Sequence, residues 1–189
     1  LIGTRPEAIK LAPLILEFKK SKGIKTNIIL SGQHDEMIQP IMEVFNLKAD
    51  VNFNFLGRCN SLEQTTSLIL NELSNYFDKN IPDLVFVQGD TTTAFAGALS
   101  AFFKKIPMGH VEAGLRTESI FSPFPEEANR RMISQLTSLH FAPTKLASEN
   151  LIKNGIKEDI FVSGNTVVDA LNLALEKKEN FKLEGIDIF

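Results

Sequence analysis

Short apolar segments alternate with longer amphipathic segments along this chain of 189 residues. The run at residues 84–87 is apolar throughout, which is typical of a strand buried on both faces. Residues 6–20 instead carry their apolar side chains at the spacing of a helix. Repeated strand–helix units predict an α/β fold, a Rossmann-like parallel sheet with helices on both faces and right-handed crossovers. A hydrophobic share of 43% allows a core of that kind.

The same patterns give approximate bounds for each element. Ser61 is predicted to cap a helix, with Gln64 three residues later. Pro13 predicts a kink or irregular first turns in the helix that contains it. Leu1 and Ile2 read as the tail of a truncated strand, and the chain reads as a fragment at both ends. Helices are predicted at residues 6–20, 35–45, 61–77, 92–105, 126–139, 145–153 and 167–178, and strands at 26–30, 84–87, 108–111, 140–142 and 160–162.

Composition excludes several classes of partner. The net charge is -3, with acids and bases interspersed, which argues against nucleic acid or an anionic membrane as the main partner. The single Cys59 rules out an intrachain disulfide and a cysteine-based zinc site, and it fits a reducing, cytoplasmic location. The chain has no Gly-rich dinucleotide fingerprint, no P-loop and no metal-ligand spacing, so no cofactor and no metal are predicted.

Three acids stand where predicted strands end or a predicted helix begins. Asp90 ends one apolar strand, Glu112 ends the next, and Glu126 opens a helix after a proline. In an open parallel sheet, ligands bind outside the carboxyl ends of the strands. Carboxylates that converge there are candidates for proton transfer or for binding hydroxyl groups.

Each acid also has a structural explanation. Asp90 could cap the helix that follows it, and it could do so while serving a site. Glu112 caps no helix, so if buried it needs a partner such as Arg116, or its pKa rises. Glu126 and Glu127 lie in a first helical turn, where acids are favourable; for Glu127 that explanation is sufficient.

Two further segments are candidates for ligand contacts. The turn at residues 3–7 precedes a helix, where backbone N–H groups favour an anion, and Arg5 and Lys10 could add charge for a diphosphate. The alternative is a tight turn with Arg5 in solvent. The turn at residues 163–166 could face a ligand or cap the last helix.

Taken together, these stretches resemble one family, the non-hydrolysing UDP-N-acetylglucosamine 2-epimerases. They occur in the family's order and span almost the whole chain. The matching stretches are residues 3–10 (GTRPEAIK), 33–34 (QH), 89–93 (GDTTT), 109–117 (GHVEAGLRT), 125–130 (PEEANR) and 164–171 (GNTVVDAL).

The resemblance implies the N-terminal half of a GT-B-type enzyme, with an active site in the cleft between two Rossmann-like domains. Residues 1–168 would form the N-terminal domain, and residues 169–189 a helix and linker towards a missing C-terminal nucleotide-binding domain. The reaction would interconvert UDP-N-acetylglucosamine and UDP-N-acetylmannosamine by elimination and re-addition of UDP, for cell-envelope polysaccharide synthesis in bacteria. A homodimer is expected through the helices at 61–77 and 92–105.

The resemblance also implies roles for particular residues. The catalytic acids would be Asp90, Glu112 and Glu126. Glu36 occupies the second position of a Gln pair that some bacterial members use for allosteric control, so that control is not expected. The side chains implied to contact the UDP-sugar substrate are Arg5, Lys10, Gln33, His34 and Arg116.

Other functions remain open from the residues alone. They are a hydrolysing 2-epimerase, an epimerase for another UDP-N-acetylamino sugar, and a GT-B glycosyltransferase domain. A non-catalytic nucleotide-sugar-binding module is a further alternative, and it would require all three acids to be structural.

Overall fold

The computed structural model describes residues 1–32, 35–54, 61–157 and 159–178. Helices and strands alternate through these residues, as the sequence predicts. In chain order they are α1 (Arg5–Lys20), β1 (Ile29–Leu30), α2 (Asp35–Val44), β2 (Val51–Asn52), α3 (Leu62–Lys79), β3 (Val85–Gln88), α4 (Thr92–Phe103), β4 (Met108–Val111), α5 (Glu126–Leu136), β5 (Leu139–Ala142), α6 (Lys145–Lys153), β6 (Ile160–Val162) and α7 (Val167–Lys178).

All strand pairs are parallel. β3, β4, β5 and β6 form one sheet in that order, and β1 pairs with β2. The first two residues join the two groups: Ile2 N donates to Ile29 O and Ser31 N donates to Ile2 O, both at 2.9 Å. On the other side, Leu1 N donates to Phe86 O at 3.0 Å. The predicted parallel α/β sheet is therefore confirmed.

Apolar cores lie on the two faces of this sheet. Successive strand residues point to opposite faces, and Val87 and Phe86 accordingly pack into different cores. The first core packs α3 and α4 against the sheet, with Leu73 almost fully buried. The second packs α1 and α2 and also buries Ala170 of α7. Burial of each such large side chain stabilises the fold by about 2 kcal/mol.

The predicted strands all occur, but the prediction is wrong about the length of β1 and omits β2. The strand predicted at residues 26–30 shortens to Ile29–Leu30, and β2 is missed. A side chain takes the place of a ladder partner there, since Ile28 N donates to Asp50 Oδ2 at 2.7 Å. A two-residue strand carries too little periodicity to be recognised from sequence.

The helix predictions fail only at termini. α5 ends at Leu136 rather than 139, because Thr137 has an extended backbone and its hydroxyl donates to Ile133 O at 2.7 Å. α1 continues through Pro13, and the predicted cap of α3 is confirmed, with Ser61 Oγ accepting from Gln64 N at 3.3 Å. No helix in the described part of the chain is long and apolar enough to cross a membrane.

Substitution of Gly114 tests how tightly the turn after β4 packs against α6. An alanine Cβ at Gly114 (φ +90°) would lie 2.2 Å from Ala147 O, whereas one at Gly23 (φ +92°) would meet nothing within 4 Å. We expect Gly23→Ala to lower the free energy of unfolding by about 1 kcal/mol through backbone strain alone. Gly114→Ala should lower the free energy of unfolding by about 1–3 kcal/mol more than Gly23→Ala does, because its Cβ also overpacks the contact with α6. Urea unfolding of both variants measures the difference, and equal losses would contradict the packing of this turn.

Candidate active site

The Glu112 carboxylate lies at the end of β4 and has three donors. Lys10 Nζ lies 2.5 Å from Oε2, and Gln88 Nε2 donates to the same oxygen. Asn165 Nδ2 donates to the other oxygen, Oε1, at 2.8 Å. The side chain is 12% exposed. Its ion-pair partner is therefore Lys10, and the alternative of an ion pair with Arg116 is wrong.

The backbone of Glu112 is strained. Its φ is +65°, in the left-handed region that residues with a side chain rarely adopt. Such a conformation costs about 1–3 kcal/mol and persists only where surrounding contacts hold it. Here the three donors fix the carboxylate at the carboxyl edge of the sheet, which is where a ligand binds in an open parallel fold.

Asp90 is the second acid at this edge. Its Oδ2 lies 2.9 Å from Arg130 Nε, and the side chain is 28% exposed. Burial raises the pKa of Asp90, the charge of Arg130 lowers it, and the negative charges of Glu126 and Glu112 raise it again. The fold therefore brings the three predicted acids within electrostatic range of one another.

Asp90 does not cap α4. The N-cap is Thr91, whose Oγ1 accepts from Ala94 N at 3.0 Å. The capping alternative for Asp90 is therefore wrong. Asn129 Nδ2 donates to the backbone oxygen of Asp90 at 2.8 Å, so the Asp90 backbone is fixed while its carboxylate faces Arg130.

Glu126 and Glu127 open α5 and differ in their surroundings. Glu126 is partly buried, and its Oε2 is buried without a hydrogen bond from the described residues. Glu127 is fully buried, with Oε2 at 3.1 Å from Arg130 Nη1 and Oε1 at 2.7 Å from Arg131 Nε. The helix dipole is therefore an incomplete explanation for Glu127, because this carboxylate also orients the arginine that meets Asp90.

The turn at residues 3–7 already holds an anion of the protein itself, the Glu7 carboxylate. Glu7 Oε2 accepts from the backbone nitrogens of Gly3 and Thr4, both at 2.6 Å, and its Oε1 accepts from Thr91 Oγ1. Burial raises the pKa of Glu7, and these hydrogen bonds lower it. The backbone nitrogens of Gly3 and Thr4 are thus bound by a carboxylate of the chain itself, and the sequence reading missed Glu7. Its signal was an acid at the third position of α1.

The remaining predicted ligand contacts are dispersed. Arg5 is exposed at the start of α1. Arg116 donates to Asn154 Oδ1, at the end of α6, at 3.0 Å, and to Ser134 Oγ, on α5, at 2.9 Å. No described contact joins Arg116 to the three acids. Gln33 and His34 lie outside the described residues.

Two site residues had weaker signals in the sequence. Gln88, which donates to Glu112, was visible only as a polar residue that ends an apolar strand. Asn165, in the turn before α7, donates to Glu112, and its Oδ1 accepts from Val167 N at 3.1 Å at the start of that helix.

His110 lies on β4, two residues before Glu112, and is fully buried. Its Nε2 lies 2.7 Å from Gly89 O, and a carbonyl oxygen only accepts, so Nε2 carries the proton. The pKa of His110 is lowered to about 4, mainly by burial; the hydrogen bond with Gly89 O raises it, and the nearby His140 and Arg116 lower it. Within the described ranges, no group of three or more His, Cys, Asp or Glu side chains could hold a metal ion.

Comparison with known proteins identifies the same family throughout. The sequence model of the UDP-N-acetylglucosamine 2-epimerase family matches residues 16–187. UDP-N-acetylglucosamine 2-epimerase of Neisseria meningitidis is 48% identical over 178 residues, which are 94% of this chain and 48% of that protein. The Bacillus subtilis enzyme is 49% identical over 91% of this chain and 46% of its own length.

Solved structures agree with the fold. The Neisseria meningitidis enzyme bound to UDP-GlcNAc has a TM-score of 0.91 at 47% identity, over 94% of this chain and 48% of that one. The Methanocaldococcus jannaschii enzyme with UDP-GlcNAc and UDP has a TM-score of 0.89 at 41% identity, over 95% and 49%. The chain thus spans about half the length of the curated relatives it matches.

The buried, neutral His110 should make stability depend on pH. Its pKa is 6.5 when unfolded and about 4 when folded. Between these values the unfolded chain binds more protons, so acidification lowers stability by up to about 1.4 kcal/mol per pH unit. His110→Gln keeps a donor for Gly89 O and cannot titrate.

We therefore expect the free energy of unfolding of the unmodified protein, relative to His110→Gln, to fall by more than about 1 kcal/mol between pH 7 and pH 4.5. The raised pKa values of Glu7 and Asp90 act in the opposite direction, and they cancel in this difference. A pH-independent difference would contradict the neutral state of His110.

Proposed function

The chain belongs to the UDP-N-acetylglucosamine 2-epimerase family, and on that premise we propose that the whole protein interconverts UDP-N-acetylglucosamine and UDP-N-acetylmannosamine. UDP is eliminated to give a 2-acetamidoglucal, and it adds back as a proton arrives on the other face of C2. The observation that carries this proposal is the convergence of Asp90, Glu112 and Glu126 at one edge of the sheet.

Glu112 is the base that removes the C2 proton. The C2 proton is weakly acidic, so its removal needs a carboxylate held in a fixed orientation. The contacts from Lys10, Gln88 and Asn165 supply that orientation. Lys10 is itself 22% exposed, so its ammonium group can also meet the negative charge of the leaving diphosphate.

Asp90 and Glu126 serve as the acid or as orienting groups. A group that supplies a proton must hold one near neutral pH, which requires a raised pKa. Burial and the charges of Glu126 and Glu112 shift the pKa of Asp90 in that direction. The charge of Arg130 opposes the shift and keeps the carboxyl group oriented.

We also propose the wider organisation that the family implies. Residues 1–168 form the N-terminal domain and residues 169–189 lead towards a nucleotide-binding domain, with Arg5, Lys10, Gln33, His34 and Arg116 contacting substrate. The protein acts in the cytoplasm of the cell, in cell-envelope polysaccharide synthesis. It forms a homodimer through α3 and α4, and the exposed Phe102 and Phe103 at the end of α4 support that contact.

Proton exchange at C2 tests the reaction directly. The whole protein is incubated with UDP-N-acetylglucosamine in deuterated buffer, and NMR follows the anomeric signals and C2. UDP-N-acetylmannosamine that carries deuterium at C2 is expected. Release of free N-acetylmannosamine would indicate the hydrolysing reaction, and intact substrate without exchange would overturn the proposal.

Replacement of the base should stop this exchange. Glu112→Gln keeps the shape of the side chain and removes its basicity, so deuterium incorporation should fall at least about a hundredfold. Glu43→Gln, an exposed position on α2, is the matched control and should exchange at the normal rate. Unchanged exchange in Glu112→Gln would exclude Glu112 as the base.

Residues 1–189 alone should not turn over substrate, because the proposed cleft needs a second domain. We expect no detectable epimerisation by the isolated chain and weak binding of UDP-N-acetylglucosamine in calorimetry. Turnover comparable to that of the whole protein would show that this chain holds the complete site.

A further inference from the structure

We propose that Glu7 is a positioning residue, which fixes the turn that carries Asp90 through its hydrogen bond with Thr91. This inference rests on the proposed function, since it concerns the acid that the reaction uses. Glu7 does not reach the three acids by any described contact. It acts through two backbone turns, the one that follows Ile2 and the one that follows β3.

The Glu7 carboxylate joins two elements that are far apart in sequence. One oxygen accepts from the backbone nitrogens of Gly3 and Thr4, at 2.6 Å each. The other oxygen accepts from the hydroxyl group of Thr91, 84 residues away. Thr91 is the residue after Asp90 and caps α4. A single buried side chain thus holds the start of α1 to the start of α4.

Capping alone does not account for this arrangement. A helix cap needs the first contact, to the backbone nitrogens of its own turn. Glu7 is 1% exposed, and burial of a carboxylate is unfavourable unless several donors compensate it. The bond from Thr91 adds no cap to α1, and its effect is to set where the Asp90 turn lies relative to α1.

The two turns also touch directly. A Cβ on Gly3 would lie 2.1 Å from Thr93 Oγ1, so the backbone of the first turn packs against α4. Ser31 Oγ lies 3.0 Å from the same hydroxyl oxygen. The turn that begins α1 and the start of α4 are therefore in contact beside the hydrogen bond between Glu7 and Thr91.

Helix α1 consequently fixes both acid-bearing turns. Glu7 holds the turn with Asp90, and Lys10, one helical turn further along α1, pairs with Glu112. One element, α1, therefore contacts both acid-bearing turns, in addition to the direct pairing of β3 with β4. Proton transfer on both faces of C2 needs the spacing between Asp90 and Glu112 to be kept, and small displacements of reacting groups cost large factors in rate.

Substitution of Thr91 tests this role in the whole protein. Thr91→Val removes the hydroxyl group and keeps the shape, whereas Thr91→Ser keeps the hydroxyl group. We expect Thr91→Val to lower kcat for epimerisation on the order of tenfold to a hundredfold, with KM changed less than about twofold. Thr91→Ser should restore kcat to within about threefold of the unmodified enzyme.

A second variant separates positioning from direct contact of Thr91 with substrate. Glu7→Gln keeps the side-chain volume but leaves one acceptor oxygen in place of two, so the backbone nitrogens of Gly3 and Thr4 and the Thr91 hydroxyl group can no longer each have the carboxylate oxygen they use now. If the two residues act through one contact, the double variant loses no more kcat than the single variant that has the larger loss. Losses that multiply would overturn the inference, as would a Thr91→Val enzyme with a lowered Tm and normal kcat.

The outcomes distinguish this inference from the proposed function. An unmodified protein that does not epimerise UDP-N-acetylglucosamine refutes the function. An active protein whose Thr91→Val and Glu7→Gln variants keep normal kcat refutes the positioning role alone. If Thr91→Val does not fold, Glu7→Gln by itself decides, because it predicts the same fall in kcat at unchanged KM.

Discussion

Lys10 and Glu112 are 102 residues apart in sequence, and their charged groups lie 2.5 Å apart in the structure. The arrangement of the site depends on this ion pair, because it ties helix α1 to the end of β4. Gln88 and Asn165 complete the surroundings of the same carboxylate from β3 and from the turn before α7. Four separate elements therefore meet at one side chain, and the strained backbone of Glu112 is held by them.

Buried charge at the carboxyl edge of the sheet is organised into two linked groups. In one, Glu127 orients Arg130, which meets Asp90. In the other, Glu7 receives donors from the first turn and from Thr91. Unpaired charges in such surroundings would be strongly unfavourable. Glu127, Asp90 and Glu7 therefore each have a cation or a set of donors, and the carboxyl group of Asp90 remains partly exposed.

Much of the fold could be read from periodicity. Strands β4 and β6 and helices α6 and α7 have the predicted bounds, because each combines a clear apolar pattern with a strong start or stop signal. The short strand β2 was missed, since two residues carry no period. The three acids were recognised because a carboxylate at the end of a buried strand is unusual, whereas Glu7 and Gln88 were overlooked because a helix start and a strand end each explain a polar residue.

The sequence by itself determined the α/β class, the parallel sheet and the edge at which the acids lie. These follow from local hydrophobic spacing and from the rule that parallel strands present their carboxyl ends on one side. Only the tertiary structure decided the partners: Lys10 rather than Arg116 for Glu112, Thr91 rather than Asp90 as the cap, and Glu7 in the turn predicted to bind an anion. Side-chain pairing across distant turns depends on how strands and helices pack in three dimensions, and local spacing carries no information about that packing.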